Sequence, residues 1–162
     1  MKVVVQRVKS SSVSVDGKVI NKIDKGFNVL VGISVDDTKE DMLYIVKKIV
    51  NLRVFDDEAG VMNKSILDSG GEILSISQFT LQADTKKGNR PSYINAMRGE
   101  DAIKLYEAFN SELSKYVNTY PGVFGAKMEV DIVNDGPITI IIDSKDKWFI
   151  YPFLMYKACF LR

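Results

Sequence analysis

A run of four polar and aromatic side chains, Ser77-Gln78-Phe79-Thr80, follows a short apolar segment and has the residue types of a ligand-binding or reactive site. Two hydroxyls and an amide offer hydrogen-bond donors and acceptors, and the aromatic ring offers a stacking surface. On an extended backbone, side chains alternate, so we expect Ser77 and Phe79 on one face and Gln78 and Thr80 on the other. The alternative is that these hydroxyls only satisfy backbone groups at a strand end.

The residue inventory limits the chemistry that such a site can perform. The chain has no histidine and one cysteine, Cys159, which excludes Ser-His-Asp and Cys-His systems, histidine zinc sites and thiolate clusters. Covalent catalysis by Thr80 is disfavoured because no histidine can activate it. The acidic run Asp56-Asp57-Glu58 lacks the ligand spacing of a calcium loop and predicts a solvated turn ending at Gly60. No metal and no other cofactor is therefore predicted.

A second segment, Asn134-Asp135-Gly136-Pro137-Ile138-Thr139, interrupts two strand-like runs, Lys127–Val133 and Ile138–Asp143. Glycine has no Cβ, so a backbone carbonyl beside Gly136 can approach a ligand closely. The X–Pro bond that follows has only a small preference for trans. The alternative interpretation is a plain turn, which the Gly-Pro pair also favours.

Strands and two helices position these segments. Strands are predicted at Lys2–Lys9, Ser11–Val15, Val19–Asp24 and Phe27–Val35, and from about Glu72 into the first motif. A first helix is predicted to begin after Thr38 as N-cap, with an apolar stripe of Met42, Ile45, Val46, Ile49 and Val50. A second is predicted over Gly99–Tyr116, with one face of Ala102, Leu105, Tyr106, Phe109 and Leu113.

The remaining segments carry weaker signals. Arg53–Asp68 is predicted to be mostly irregular, and Tyr120-Pro121-Gly122 to break the chain. With strands leading and only two substantial helices, the pattern predicts one α/β or α+β domain with helices against one side of a sheet system.

Both motifs together, Ser77–Leu81 and Asn134–Thr139, resemble the D-aminoacyl-tRNA deacylases in order and separation. The resemblance covers roughly Met1–Asp143 and includes Val5-Gln6-Arg7-Val8 and Lys87-Gly88-Asn89-Arg90-Pro91-Ser92. It implies a three-layer α/β/β single domain with two main helices packed on a β-sheet system. It also implies a homodimer with the active site at the subunit interface.

The resemblance implies hydrolysis of the ester bond of D-aminoacyl-tRNA, which releases D-amino acid and tRNA. Ser77, Gln78, Phe79 and Thr80 would form the catalytic segment, acting largely through the main chain while the terminal 2′-hydroxyl of the tRNA takes part. Gly136-Pro137 would be a cis pair that reaches into the other subunit's site, where its carbonyls hold the α-amino group and exclude an L side chain. Arg7 would support this pair.

The identity of the first motif separates two related activities. The animal-type deacylase that acts on mischarged L-alanyl-tRNA has Pro and Ala where this chain has Ser77 and Phe79. Ser-Gln-Phe-Thr therefore favours the D-specific branch and chiral proofreading. Glycine has no side chain to exclude, so we expect glycyl-tRNA to be a substrate as well.

Contact with aminoacyl-tRNA, the predicted partner, requires a local basic patch because the net charge of the chain is only +1. Lys86, Lys87, Arg90 and Arg98 are the candidates for phosphate contacts, with a solvated loop as the alternative. Phe124-Gly125 is a candidate for holding the terminal adenine by stacking.

Ser144–Arg162 is predicted to be an atypical C-terminal tail beyond a deacylase domain at 1–143. It carries four basic residues against Asp146, and Trp148–Tyr156 is apolar and aromatic around Pro152. The tail is expected to pack on the domain or a dimer edge, with tRNA or membrane-surface contact as the alternative. A charged N-terminus and the lack of a run of about 20 apolar residues predict a cytoplasmic protein without a membrane partner.

Two other classes of function stay open at this level. One is a non-catalytic tRNA-binding or structural dimer that keeps the fold. The other is a small-molecule peptidase or esterase, which is disfavoured because no triad can be assembled from these residues.

Overall fold

The computed structural model describes residues 1–146, which fold into one mixed α/β domain. The strands are β1 (Lys2–Val15), β2 (Lys18–Ile23), β3 (Gly26–Gly32), β4 (Phe55–Asp56), β5 (Met62–Lys64), β6 (Glu72–Ser77), β7 (Thr119–Pro121) and β8 (Glu129–Asp143). The helices are α1 (Lys39–Val50), α2 (Ile66–Ser69) and α3 (Gly99–Leu113), and a 3₁₀ helix spans Phe79–Gln82. The predicted mixed class is confirmed, whereas the three-layer arrangement and the homodimer stay predictions.

Six strands form the main sheet, in the order β2-β1-β3-β6-β7, with β8 on the other side of β1. β1 is antiparallel to β2, β3 and β8, while β3, β6 and β7 run parallel to one another. β4 and β5 form a separate two-stranded hairpin. Within residues 1–146, β8 pairs with β1 alone, so its second edge is free.

The register between β1 and β8 breaks around the Gly-Pro pair. Gln6 lies opposite Thr139 and Val8 opposite Asn134, so the single residue Arg7 faces the four residues 135–138. The expectation of two strands separated by this segment was wrong. Pairing with β1 resumes on both sides of the segment, which is therefore a four-residue bulge inside one strand.

The helices cover one face of the sheet. The predicted stripe of α1 is buried, and it packs in one hydrophobic cluster with strand residues such as Val3, Phe27 and Ile73 and with Phe109 and Leu113 of α3. α1 begins with a capping box in which Thr38 and Asp41 each satisfy the other's backbone N–H. Thr38 is the predicted N-cap, and this prediction is confirmed.

The other face carries a smaller cluster of Val8, Val13, Ile23, Leu74 and Ile76. β6 is therefore buried on both faces, with Ile73 in one cluster and Leu74 in the other. This confirms the predicted interior strand. Its position between β3 and β7 delivers the first motif to the end of the sheet.

Several local expectations differ from the structure, and the strands predicted at Lys2–Lys9 and Ser11–Val15 are the single strand β1. Arg53–Asp68 contains β4, β5 and the short α2, whose capping box joins Ser65 and Asp68. Tyr120-Pro121 lies in β7. Because Pro121 is the last residue of this strand, its missing N–H removes no hydrogen bond from the interior of the strand. α3 ends at Leu113 rather than at Tyr116 because the chain closes into turns, with Tyr116 N donating to Leu113 O at 2.9 Å.

Ser144 and Lys145, near the end of the described residues, contact the domain through a hydrogen bond and ion pairs. Ser144 N donates to Met1 O at 2.8 Å, and Lys145 Nζ lies 3.2 Å from carboxylate oxygens of both Asp37 and Asp41. The rest of the predicted tail, including Trp148–Tyr156 with Pro152, lies outside the described residues. In the part of the chain that is described, no helix is long and apolar enough to cross a membrane.

Candidate active site

A cavity of about 300 Å³, called here the β6 cavity, opens where β6 ends. Ser77, Gln78 and Phe79 form one wall, and Phe124 and Gly125 form another. The structure thus brings together two predicted site segments that are more than 40 residues apart in sequence. Apolar side chains complete the lining: Val31, Ile33, Ile76, Met97, Ala102, Ala126, Met128 and Val130.

Of the catalytic candidates, Ser77 is the last residue of β6, whereas Gln78, Phe79 and Thr80 lie at the start of the 3₁₀ turn that follows. β3 ends at Gly32, so the chain after Ser77 loses its ladder partner once Gln78 N has donated to Val31 O at 2.7 Å. A local 3₁₀ pattern follows, in which Leu81 N donates to Gln78 O at 3.2 Å. The expected alternation of Ser77 and Phe79 against Gln78 and Thr80 was therefore wrong, because it assumed a strand that continued.

The turn leaves unpaired main-chain donors at Phe79, which lines the β6 cavity, and at Thr80, which follows it. A 3₁₀ helix cannot satisfy the N–H groups of its first residues internally. Within the described residues, the N–H groups of Phe79 and Thr80 make no hydrogen bond. The Thr80 hydroxyl instead accepts a hydrogen bond from Gln78 Nε2, and Thr80 does not line the cavity. The unpaired N–H of Phe79 is thus available to polarise a bound carbonyl, whereas the Thr80 hydroxyl is engaged by Gln78.

An aromatic side chain stands on each wall. Phe79 is 56% exposed and meets Tyr93 edge to face, with ring centroids 5.0 Å apart. Phe124 lies 5.6 Å from the buried ring of Tyr106. These rings leave apolar surface open to a planar ligand group, as stacking requires.

Tyr106 contacts both the strand that leads to Ser77 and the segment that carries Phe124. Its hydroxyl donates to Ser75 O at 2.8 Å, and the same oxygen accepts Gly122 N at 2.8 Å. Burial raises the pKa of the Tyr106 hydroxyl, which stays a neutral donor as a result. Tyr106 was predicted as a core residue and is buried, but its contacts also fix the strand that leads to Ser77.

Arg7, Gly136 and Pro137 form a second group, away from the β6 cavity of the same chain. Arg7 Nη1 donates to Val54 O at 2.7 Å, while Arg7 Nε contacts Asp135. Gly136 has φ of +121°, a value that favours glycine, and the Gly136–Pro137 peptide bond is cis. Both residues of the pair are exposed.

The predicted tRNA-binding residues Lys86, Lys87 and Arg90 are exposed on one loop. Backbone hydrogen bonds of 2.8 and 2.9 Å between Asp84 and Ser92 close the loop at its base. This base follows the 3₁₀ helix of the catalytic segment directly. The three basic residues do not line the β6 cavity.

The acidic turn has a structural explanation. Asp57 Oδ1 accepts the N–H groups of Ala59 and Val61 at 2.9 and 3.0 Å, and the backbone bond from Val61 contributes most to lowering the Asp57 pKa. Gly60 follows with positive φ. Among residues 1–146, no group of three histidine, cysteine or acidic side chains could hold a metal ion.

Sequence reasoning missed part of the cavity. Met97, Ala126 and Met128 lie in or beside loops, where isolated apolar residues carry no periodic signal. Their contribution follows only from how β7, β8 and α3 are arranged around the end of β6.

This α/β domain has a cavity that combines aromatic walls with main-chain donors. Sites of this class can stabilise a developing oxyanion without a histidine triad. The model of the D-Tyr-tRNA(Tyr) deacylase family matches residues 4–143, and the chain belongs to this family. The family predicted from the two motifs is thus confirmed.

A relative described as a deacylase is similar over nearly the whole chain, and two solved structures share the fold. A D-aminoacyl-tRNA deacylase of Clostridium novyi (strain NT) is 60% identical over 149 residues, covering 91% of this chain and all of the relative. A solved structure described as c-Myc DNA Unwinding Element Binding Protein is 47% identical, with a TM-score of 0.85 over 88% of this chain and 98% of its own. A probable eukaryotic D-amino acid tRNA deacylase, 16% identical over the same shares of the two chains, has a TM-score of 0.75 and shows the common fold.

Proposed function

We propose that this protein is a D-aminoacyl-tRNA deacylase that hydrolyses the ester between a D-amino acid and the 3′ end of tRNA. The observation that carries the proposal is the β6 cavity, which is lined by Phe79, a residue with an unpaired N–H group, and by Phe124 on the opposite wall. Family membership and the 60% identical deacylase support the same reaction. The predicted catalytic segment, Ser77 to Thr80, keeps this role mainly through its backbone.

The chemistry needs few side chains because the aminoacyl ester is already activated. The N–H groups of Phe79 and Thr80 would donate hydrogen bonds to the carbonyl oxygen and stabilise the negative charge that develops on it as water attacks the carbon. The bond to the ribose 3′-oxygen then breaks, and that oxygen takes a proton. We propose that the adjacent 2′-hydroxyl of the tRNA relays this proton, since the chain has no histidine to do so.

Substrate binding divides between the two walls and the basic loop. The terminal adenine would stack against Phe124 beside Gly125, a residue with positive φ. Lys86, Lys87 and Arg90 would contact phosphates of the acceptor strand.

Chiral selection is assigned to Gly136-Pro137 of a second subunit. The pair is exposed and lies outside the β6 cavity of its own chain, so its proposed contact with substrate requires another copy. β8 supports a homodimer because it has a free edge and exposes Val133 and Ile141, which are 53% and 67% accessible. The active site would then lie at the subunit interface.

Exclusion of a side chain determines the predicted specificity. An L side chain would meet the backbone at Gly136, while a D side chain would point away from it. Glycine would escape the filter, so glycyl-tRNA would be hydrolysed too. The proposed role is chiral proofreading in translation, which belongs in the cytoplasm.

The direct test is hydrolysis of matched D-tyrosyl-, L-tyrosyl- and glycyl-tRNA at equal enzyme concentration. We expect turnover of the D and glycyl esters and little turnover of the L ester. Equal rates for D and L esters would contradict chiral selection. Tight tRNA binding without turnover of any ester would instead favour the non-catalytic tRNA-binding dimer.

A further inference from the structure

A second cavity, of about 280 Å³, lies next to the catalytic turn and is called here the Lys2–Lys86 cavity. Its walls come from the start of β1, the end of the 3₁₀ helix and the base of the basic loop. The lining residues are Lys2, Gln82, Ala83, Asp84, Thr85, Lys86 and Asn95. Unlike the β6 cavity, it is lined mainly by polar and charged side chains.

Its charges favour an anion. Lys2 and Lys86 line it against the single carboxylate of Asp84, and Asp84 Oδ1 already accepts the N–H of Lys86 at 2.8 Å. Lys2 Nζ also lies 3.5 Å from Asp143 Oδ2, but both side chains are partly exposed, and such a pair contributes little. A bound anion can therefore compete for Lys2.

Neutral donors are available beside the two lysines. In the described part of the chain, the hydroxyl of Thr85, the side-chain amide of Asn95 and the ammonium group of Lys86 make no hydrogen bond. Two cationic groups with a hydroxyl and an amide match the donors that bind phosphate oxygens.

The β6 cavity and the Lys2–Lys86 cavity lie at opposite ends of the same 3₁₀ helix. Phe79 at one end of the 3₁₀ helix lines the β6 cavity, and Gln82 at the other end lines the Lys2–Lys86 cavity. A 3₁₀ helix rises about 2.0 Å per residue, so the two ends are roughly 6 Å apart. A stacked strand advances about 3.4 Å per nucleotide, so this separation corresponds to one or two nucleotides.

The end of the turn is also held in place. Gln82 Nε2 donates to Gly32 O at 2.9 Å, which fixes the boundary between the two cavities to the end of β3. A Cβ on Gly32 would lie 2.7 Å from Leu81 Cβ, so the backbone is closely packed here. The backbone between the two cavities is therefore held against the end of β3.

We propose that the Lys2–Lys86 cavity binds a backbone phosphate of the tRNA acceptor strand, one or two nucleotides before the terminal adenosine. This inference rests on the proposed deacylase function and deepens it. It assigns Lys2 and Lys86 to one phosphate subsite and gives Thr85 and Asn95 the role of neutral donors.

The test removes phosphates from the substrate and charges from the protein. D-tyrosyl esters of adenosine, of the dinucleotide CpA and of the trinucleotide CpCpA carry no, one and two phosphates. The protein variants are Lys2→Gln/Lys86→Gln and, as a charge-matched control, Lys22→Gln/Lys47→Gln. Lys22 on β2 and Lys47 on α1 are exposed and line neither cavity.

We expect the Lys2→Gln/Lys86→Gln variant to lose about tenfold in kcat/KM on CpA or CpCpA esters. The adenosine ester should be hydrolysed at the parent rate, and the control variant should match the parent on all three esters. Added salt should narrow the difference between parent and variant. An equal loss on all three esters, or no loss on any, would overturn the proposal.

Binding of unacylated CpCpA and of adenosine, measured by calorimetry, separates this inference from the function on which it rests. Weaker CpCpA binding in the Lys2→Gln/Lys86→Gln variant alone, with unchanged adenosine binding and unchanged thermal unfolding, would support the subsite even if no ester were hydrolysed. Equal CpCpA affinity in parent and variant would overturn it. Absence of hydrolysis of every ester by the parent protein would contradict the deacylase function only.

Discussion

Arg7 contacts Asp135 twice: Arg7 Nε lies 3.1 Å from the carboxylate oxygen Oδ2 and 3.3 Å from the backbone oxygen of Asp135. The Arg7 side chain is only 7% exposed, and its Nη1 also reaches Val54 O. Arg7 is the one β1 residue that faces the four-residue bulge of β8. The guanidinium therefore holds the residue that immediately precedes Gly136.

We predict that Arg7→Lys lowers deacylation of D-tyrosyl-tRNA by at least roughly tenfold and reduces the preference for D over L esters. A lysine has one ammonium group and cannot reach Asp135 and Val54 together as the planar guanidinium does. Asp135→Asn keeps the backbone contact and should have a smaller effect in the same direction. Single-turnover hydrolysis of matched D and L esters measures both quantities.

The control for this substitution is Arg53→Lys. Arg53 is exposed, and its Nε donates to Asn63 O at 2.7 Å on the small hairpin. This variant should keep the parent rate and selectivity. If Arg7→Lys, folded and with the parent's oligomeric state, also matched the parent, Arg7 would have no role in positioning the Gly-Pro pair.

Local signals account for the parts of the fold that the sequence predicted well. Thr38 and the α1 stripe define a helix through contacts within about four residues, and apolar side chains are buried on both faces of β6, Ile73 on one and Leu74 and Ile76 on the other. The turn after Gln78 depends on where β3 ends, and the bulge at Arg7 depends on pairing across more than 100 residues. Such nonlocal causes leave no periodic pattern in the sequence.

The site shows the same limit. Phe124-Gly125 was a candidate because an aromatic ring can stack on a base, and no spacing rule predicts that this segment and the motif around Ser77 line one cavity. The Thr80 side chain stood out because hydroxyls can be nucleophiles, but its hydroxyl accepts a hydrogen bond from Gln78 Nε2. The unpaired N–H groups of the turn have no sequence signature, because any residue supplies a backbone donor.

We predict that deacylation requires no divalent metal ion. The chain has no histidine and one cysteine, and the described residues offer no group of three metal ligands. Activity on the CpCpA ester, which needs no folded tRNA, should survive exhaustive chelation. Loss of activity that one specific divalent ion restores would show this prediction to be wrong.

We predict that the Val133→Lys/Ile141→Lys variant is monomeric and that it loses D-ester hydrolysis because the dimer is lost. Both side chains are exposed on β8, and buried lysines at a subunit interface would lack partners. Val19→Lys on β2, also exposed, is the control and should remain dimeric. Sedimentation velocity measures assembly, and full activity in a monomeric variant would contradict a site shared between subunits.

We predict a loss of stability at high pH that depends on Tyr106. Burial raises the pKa of this phenol above its ordinary value of 10.0, so the folded chain binds the proton more tightly than the unfolded chain. Its contribution is thus complete below about pH 10 and declines as the pH rises through and above that value. Phenylalanine cannot ionise, so the part of the alkaline loss of stability that is due to Tyr106 should disappear in the Tyr106→Phe variant.

Urea unfolding near pH 8 and about pH 10.5 measures the Tyr106 effect. At the lower pH, Tyr106→Phe should cost about 1 kcal/mol because the hydrogen bond to Ser75 O is lost. Tyr116→Phe is the control, since Tyr116 is exposed. An equally steep alkaline decline in Tyr106→Phe and in the parent would assign the effect to other groups.

The two motifs should respond differently to the loss or gain of one small group. We predict that Thr80→Ala retains substantial activity, because the N–H groups of Phe79 and Thr80 remain and only the contact with Gln78 Nε2 is lost. Gly136→Ala should reduce the rate by roughly tenfold or more or lose selectivity. Its φ of +121° disfavours alanine, and the new Cβ would lie 2.8 Å from Ile138 Cγ1 and 3.1 Å from Ile138 N.

Gly60→Ala separates a site effect from general backbone strain. Gly60 also has positive φ, but a Cβ there meets no atom within 4 Å, and the residue lies on the β4–β5 hairpin. This variant should lose some stability and keep the parent rate and D/L ratio. Single-turnover deacylation of one D-aminoacyl-tRNA and its L counterpart, by folded variants of confirmed oligomeric state, decides the comparison. If Thr80→Ala abolished hydrolysis while Gly136→Ala behaved like the parent, catalysis would depend on the Thr80 hydroxyl and selection would lie elsewhere.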